Sequence, residues 1–231
     1  MEHPQAGFAE QVRSLPRTFY VANTMEIFER MAWYGMFTPL ALYLTDKRAR
    51  GGLELEMVPG FGEIRPCEET GETFEENAVL KARYYGRQVD GLLFAEDSGL
   101  EVEALGGEPG VRSARWSGLG DAANNALLVE RLRGVADRRA RYACVIALAR
   151  DGEVVRIFRR TVAGEILSTA RGSGGFGYDP LFYCAEMGRT FAELPMEEKN
   201  RISHRGRAFL GLVEYLENQV KSQKSKVKSQ K

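Results

Sequence analysis

Apolar and polar positions alternate in LELEMV, residues 53–58, and this period of two predicts a β-strand. From Thr73 the spacing becomes helical: TFEENAVLKARYYGRQ brings Phe74, Ala78, Leu80 and Ala82 near one face. Thr73 and Glu76 stand at capping-box spacing and predict a helix over about 74–87. LLFA, residues 92–95, predicts a short buried strand that ends at Glu96 and Asp97. Asp121 is placed to cap a second helix over AANNALLVERLR, with Gly134 placed to end it. YACVIALAR and EVVRIFRRTV flank Asp151-Gly152, a strong hairpin signal that predicts two antiparallel strands. ARGSGGFGYDPLF is too rich in glycine to be anything but a loop, and Ser203 is placed to cap a last helix on which Phe209, Leu210, Val213 and Leu216 share a face.

These alternating elements predict an α/β protein, and they begin only after residue 50. Three regions follow: an atypical segment at 1–50, a domain at 51–217 and a tail at 218–231 that repeats V-K-S-Q-K without an apolar face and is expected to be disordered. In the first region MAWYGMFTPLALYLT is uncharged for 15 residues, short of the roughly 20 that span a bilayer. No small-residue cleavage site follows it, so it does not read as a signal peptide. FYVANTMEIFERMAWYGM, within residues 17–46, resembles the first transmembrane helix of the proton-coupled oligopeptide transporters, but no later stretch supplies the other helices of a carrier.

The chain of 231 residues is 44% hydrophobic and 28% charged, too apolar to stay unfolded and long enough for one large domain or two small lobes around a shared core. Its zero formal charge is uneven, because five lysines lie in the last 14 residues and leave 27 basic against 32 acidic residues in the body. An acidic body argues against nucleic acid as a partner, since phosphates need a basic face. Three separated cysteines without metal spacing fit a reduced, cytoplasmic protein, and two histidines give little material for a histidine-rich metal site or a Ser-His-Asp triad. Hard-cation chemistry through carboxylates is left open.

Candidate chemistry gathers at three places. Glu96 and Asp97 are adjacent on a strand, so only one of them can look into a given cleft. A carboxylate from CEETGETFEEN and one from the strand end could share one Mg²⁺, which takes few protein carboxylates and keeps water and phosphate oxygens. GGFGYDP offers backbone N–H groups, two aromatics that could stack on a planar base, and Asp179 to accept from a ring N–H. EEKNRISHRG adds Lys199, His204 and Arg205 as donors at a helix entry.

Together EETGETFEENAVLKAR, AEDSGLEVEALGGEPGVRSARWSG, GSGGFGYDPLF and EEKNRISHRG resemble the inosine/xanthosine triphosphate pyrophosphatases, over about residues 53–217. The resemblance implies an elongated mixed β-sheet with flanking helices, divided into two lobes with the active site in the cleft between them. It also implies a homodimer that uses Mg²⁺ to hydrolyse ITP, dITP and XTP to the monophosphate and pyrophosphate. Carried over by motif, Glu69 and Asp97 are the magnesium carboxylates and Asp97 is also the base toward water. Ser98 is a substrate contact; Phe176, Gly177, Tyr178 and Asp179 line the base pocket, which Lys199, His204 and Arg205 close. By the same token Asp97 faces the metal and Glu96 does not.

One departure from the family pattern stands at the N-terminus. The family opens with a strand and a Ser/Thr-x-Asn-x-x-Lys turn that holds the triphosphate, whereas VANTMEIFER has Asn23 but no lysine three residues on. The first strand and the phosphate clamp are therefore expected to be missing, which keeps open a catalytically impaired nucleotide-binding protein or a membrane-tethered fragment as alternatives.

Overall fold

A seven-stranded sheet organises the chain in a computed structural model that describes residues 63–228 together with Thr18–Val21 and Glu54–Met57, and side-chain surroundings up to residue 219. The elements in chain order are β1 (Thr18–Val21), β2 (Glu54–Met57), α1 (Phe74–Gly86), β3 (Leu92–Val102), α2 (Asp121–Arg131), β4 (Arg139–Arg150), β5 (Glu153–Ile166), β6 (Phe182–Cys184), β7 (Arg189–Thr190), α3 (Met196–Ile202) and α4 (His204–Lys228). The strand order is β2-β1-β3-β4-β5-β6-β7. β1 runs parallel to both neighbours, and the remaining pairs are antiparallel. This is the elongated mixed sheet with flanking helices that the motifs imply.

Period-two alternation along β3 and β4 divides the core. One face carries Leu93, Ala95, Ala143, Val145 and Ala147 against Phe74, Ala78, Ala82 and Tyr85 of α1. The other face carries two clusters: Leu92, Phe94, Cys144 and Ile146 pack on Phe209, Leu212 and Leu216 of α4, while Leu100, Val102, Tyr142 and Val162 pack with Leu128, Phe182 and Phe191. Glu96 and Ser98 lie on that face of β3 between the residues that feed those two clusters.

Several local expectations hold. Thr73 accepts from the Glu76 N–H and Glu76 returns the bond, closing the capping box of α1. Asp151 (φ 50°) and Gly152 (φ 81°) turn the β4–β5 hairpin with both residues left-handed, as a two-residue hairpin loop requires. Ser203 Oγ accepts from the Gly206 N–H at 3.1 Å and caps α4.

Others are corrected. Thr18–Val21, inside the segment likened to a transporter helix, is a strand inserted between β2 and β3; TFYV is β-branched and aromatic and pairs on both sides, so the first strand is present. The rest of residues 22–53, including VANTMEIFER beyond Val21 and the apolar run after it, lies outside the described residues. β3 does not stop before the acids but runs through Glu96 and Asp97 to Val102, because both carboxylates have partners off the strand. Gly120 is the N-cap of α2 and Asp121 its first helical residue. Leu80 and Leu210 are solvent-facing at 36% and 50% exposure; the face of α1 turned to the sheet is Phe74, Asn77, Ala78, Lys81, Ala82 and Tyr85. α4 continues as helix to Lys228, into the segment expected to be disordered, whose lysines and glutamines are good helix formers uninterrupted by glycine or proline.

Candidate active site

Adjacent residues of β3 build two clusters, one on each face of the sheet. On the α1 face, Lys81 Nζ lies 2.8 Å from Asp97 Oδ1 and 3.0 Å from Glu69 Oε1. Asn77, one helical turn before Lys81, donates to Asp97 Oδ2 at 3.4 Å, and Arg115 Nη1 donates to Glu69 Oε2 at 3.1 Å. Local sequence brings these groups together. The capping box fixes the start of α1, and Asn77 Oδ1 holds the Gly71 N–H at 2.8 Å, which ties the Glu69 loop to the helix. Gly99 lets the 3₁₀ turn at Gly110–Arg115 pack on β3, since a Cβ there would stand 2.3 Å from Ser113 Oγ. That turn carries Arg115.

The electrostatics of this cluster favour proton exchange at Asp97. Burial pushes its carboxyl up to about 6, with Lys81 pulling the other way and Glu69 and Glu96 adding to the rise. Burial acts on Glu69 too, but Lys81 and Arg115 outweigh it and hold Glu69 below its ordinary value. Lys81 is almost fully buried, yet Asp97 and Glu69 keep its ammonium above the usual lysine value and charged.

Glu69 and Asp97 thus converge on one cation-sized position, which Lys81 Nζ occupies from the helix side. Their hard oxygen donors suit Mg²⁺, a cation commonly held by one or two carboxylates plus water and phosphate oxygens. Among the described residues no group of three or more His, Cys, Asp or Glu converges on a metal position.

On the opposite face, Glu96 is 1% exposed. Its Oε1 accepts from Arg205 Nε at 2.8 Å and from Ser98 Oγ at 3.2 Å, and Cys144 Sγ lies 3.6 Å from Oε2. The Arg205 guanidinium carbon sits 5.1 Å from the Phe176 ring centroid, and Lys199 Nζ sits 4.6 Å from it. Lys199 also forms a very short ion pair with Asp179 Oδ2, which accepts from the Phe176 N–H at 2.7 Å as well. His204 stacks on Tyr142, with centroids 4.6 Å apart and planes 8° apart. Burial, with Arg205 and Lys199 adding to it, holds the His204 imidazole well below 6.5, so it is neutral.

The loop that carries Phe176 is held by α2. Asp121 Oδ2 accepts from the Gly177 N–H and Asn125 Nδ2 donates to the Gly177 carbonyl, both at 2.8 Å. Gly175 has φ 72°, and a Cβ there would meet Asp179 Oδ2 at 2.1 Å, so only glycine lets the loop close over the Asp179 carboxylate.

Of the ten residues singled out from the sequence, the structure brings Glu69 and Asp97 together on one face and Phe176, Asp179, Lys199 and Arg205 on the other. Ser98 lies on the Glu96 side of the strand rather than with Asp97. Three placements differ from the expectation of a pocket-lining role. Tyr178 turns inward, 3% exposed, and donates to the Ser113 carbonyl at 2.9 Å. Asp179 is fully engaged by Lys199, the Phe176 N–H and Tyr142, so its carboxylate shapes the loop from beneath. His204 is 5% exposed beneath Tyr142. Gly177 contributes both of its backbone polar groups to α2. Lys81, Asn77, Arg115 and Asn125 were not singled out, and Asp121 was read only as a helix cap. For Lys81 and Asn77 the signal is present, since they are polar residues on the stripe that α1 must bury.

Residues 43–215 match the Ham1 family. A dITP/XTP pyrophosphatase of Acidobacterium capsulatum is 50% identical over 184 residues, covering 74% of this chain and 91% of the relative. A dITP/XTP pyrophosphatase of Geobacillus kaustophilus is 47% identical over 176 residues, covering 74% of this chain and 86% of the relative. Among solved structures, the Staphylococcus aureus Ham1 protein superposes with a TM-score of 0.75 at 35% identity, covering 87% of this chain and 99% of that one. A HAM1 protein from Coxiella burnetii superposes with a TM-score of 0.72 at 36% identity, covering 87% and 98%. The chain is a mixed α/β protein with a carboxylate–lysine cluster and a cation–aromatic cluster back to back on one strand. It belongs to the Ham1 family.

Proposed function

We propose that this protein hydrolyses non-standard purine nucleoside triphosphates, dITP, ITP and XTP, to the monophosphate and pyrophosphate. The observation that carries the reading is the pair of neighbouring residues on β3. Asp97 addresses a cation-binding cluster suited to phosphates, and Glu96 addresses an aromatic and cationic cluster suited to a purine with keto groups. β1 pairs with β3 at Leu93 and Phe94, and the 108–113 segment takes the Leu100 and Val102 N–H groups further along that strand, so Glu96 and Asp97 lie between these two contacts. The names of the relatives support the same substrates, and the presence of β1 favours turnover over a binding-only protein.

In this reading Glu69 and Asp97 hold Mg²⁺, which when bound offsets phosphate charge and acidifies water. Asp97 accepts the proton of the water that attacks the α-phosphorus, and pyrophosphate leaves. Lys81 holds Asp97 in place and supplies positive charge beside the phosphates. Phe176 stacks on the base, and Arg205 donates to the 6-keto oxygen that inosine and xanthine share. Adenine presents an amino donor there, leaving buried donors facing each other. A homodimer and a cytoplasmic location belong to the same proposal. Among the described residues no helix is long and apolar enough to cross a membrane.

The test is pyrophosphate release from ITP, dITP, XTP, ATP and GTP, with Mg²⁺ and with EDTA. The kcat/KM ratio of ITP to ATP should exceed ~100, the scale of a mispaired buried polar contact. EDTA should abolish turnover. Equal rates on ITP and ATP would refute the pocket assignment.

A further inference from the structure

Glu96 is a carboxylate at 1% exposure, and a buried charge is costly unless it is paired and hydrogen-bonded. Its hydrogen-bonding partners lie on the face of β3 away from Asp97: Arg205 Nε at 2.8 Å, Ser98 Oγ at 3.2 Å and Cys144 Sγ at 3.6 Å. The bond from Arg205 engages Nε alone, one of the five N–H donors of the guanidinium. Through it the guanidinium is held 5.1 Å from the Phe176 ring. Arg205 comes from the first turn of α4, 109 residues away in sequence, so the contact is made by the tertiary fold.

We propose that Glu96 is a positioning residue for base recognition, holding Arg205 against Phe176 so that the guanidinium meets the keto edge of the purine. This rests on the pyrophosphatase reading. Because Glu96 and Asp97 are consecutive on one rigid strand, the orientation of the base-reading arginine is tied to the position of the base that activates water. One dipeptide then registers both ends of the substrate. A purely structural Glu96, which would only fasten α4 to the sheet, predicts different kinetics.

Glu96→Gln keeps the size and removes the charge. It should raise KM for ITP about tenfold and lower the ITP to ATP ratio of kcat/KM about as much, with kcat changed by less than about threefold, the scale of one charge-assisted hydrogen bond lost from ground and transition states alike. Inhibition by inorganic tripolyphosphate, which has no base, should be unchanged. Glu96→Asp, which keeps the carboxylate, should recover part of the selectivity. If Glu96→Gln does not fold, Arg205→Lys keeps the charge, loses the Nε–H, and should give the same shift in KM and selectivity. Adding Glu96→Asp to it should then cost little more.

Unchanged KM and selectivity in both variants overturn the inference. So does a uniform loss across ITP, ATP and tripolyphosphate binding, which is the signature of a structural role. A parent chain that turns over no purine triphosphate overturns the pyrophosphatase reading, and this inference with it.

Discussion

Lys81→Met tests the carboxylate cluster most directly, because it removes one ammonium and keeps the length of the buried stem. The side chain is 4% exposed and bridges Asp97 and Glu69. Removing one partner of a buried ion pair typically costs ~3–5 kcal/mol, but here the loss is limited because Asp97 can take up a proton instead. Its carboxyl already stands at about 6, so holding it protonated costs at most about 1.4 kcal/mol more at pH 7 and about 2.7 at pH 8. Glu69 is 21% exposed and keeps Arg115, which adds less than about 1 kcal/mol. The expected loss is therefore about 2 kcal/mol at pH 7, or roughly 4–8 °C in Tm for a domain of this size.

The pH dependence fixes the sign. In the variant the folded-state value of Asp97 rises further above its unfolded value, so the folded protein binds the extra proton. Stability then falls as pH rises through that window, by up to about 1.4 kcal/mol per unit. Urea denaturation of parent and variant in EDTA at pH 6, 7 and 8 should show the gap widening with pH. Mg²⁺ should narrow it only by as much as it stabilises the variant more than the parent, since both keep Asp97 and Glu69. A gap that is flat with pH and indifferent to Mg²⁺ would mean that Lys81 does not balance these carboxylates.

Two further outcomes are expected. Asp97→Asn should leave the circular dichroism spectrum unchanged and reduce kcat for ITP at least tenfold, since it removes both proton acceptor and metal charge; retention of more than about a tenth of the activity would defeat the assignment. His204 is buried neutral and held well below 6.5, so its contribution to stability is complete above that value and declines as pH falls and the unfolded chain takes up the proton. Between pH 6.5 and 5.5 the parent should lose about 1 kcal/mol more than His204→Phe, read from urea midpoints; equal losses would show that the imidazole is not buried neutral.

Local rules carried much of this protein in its sequence. The capping box of Thr73 and Glu76, the Asp151-Gly152 hairpin and the Ser203 cap depend on residues within a few positions of one another, and all three form as the spacing predicts. Strand alternation alone separates Glu96 from Asp97, whichever fold surrounds them. Long-range pairing decided the rest. TFYV at 18–21 is made of strand-forming residues but is only four long, and its pairing with β2 and β3 on either side is what places it in the sheet. β3 runs on through two acids because Lys81 and Arg205, 16 and 109 residues distant from their partners, neutralise them from opposite faces. Periodicity places Lys81 on a buried helix stripe but cannot say what it meets. Asp179 reads as a ligand for a base, yet the fold surrounds it with Lys199, Tyr142 and the Phe176 N–H, because a carboxylate buried at 2% exposure needs donors at once. Which side chains satisfy a buried charge is a property of packing in three dimensions, and no spacing along the chain encodes it.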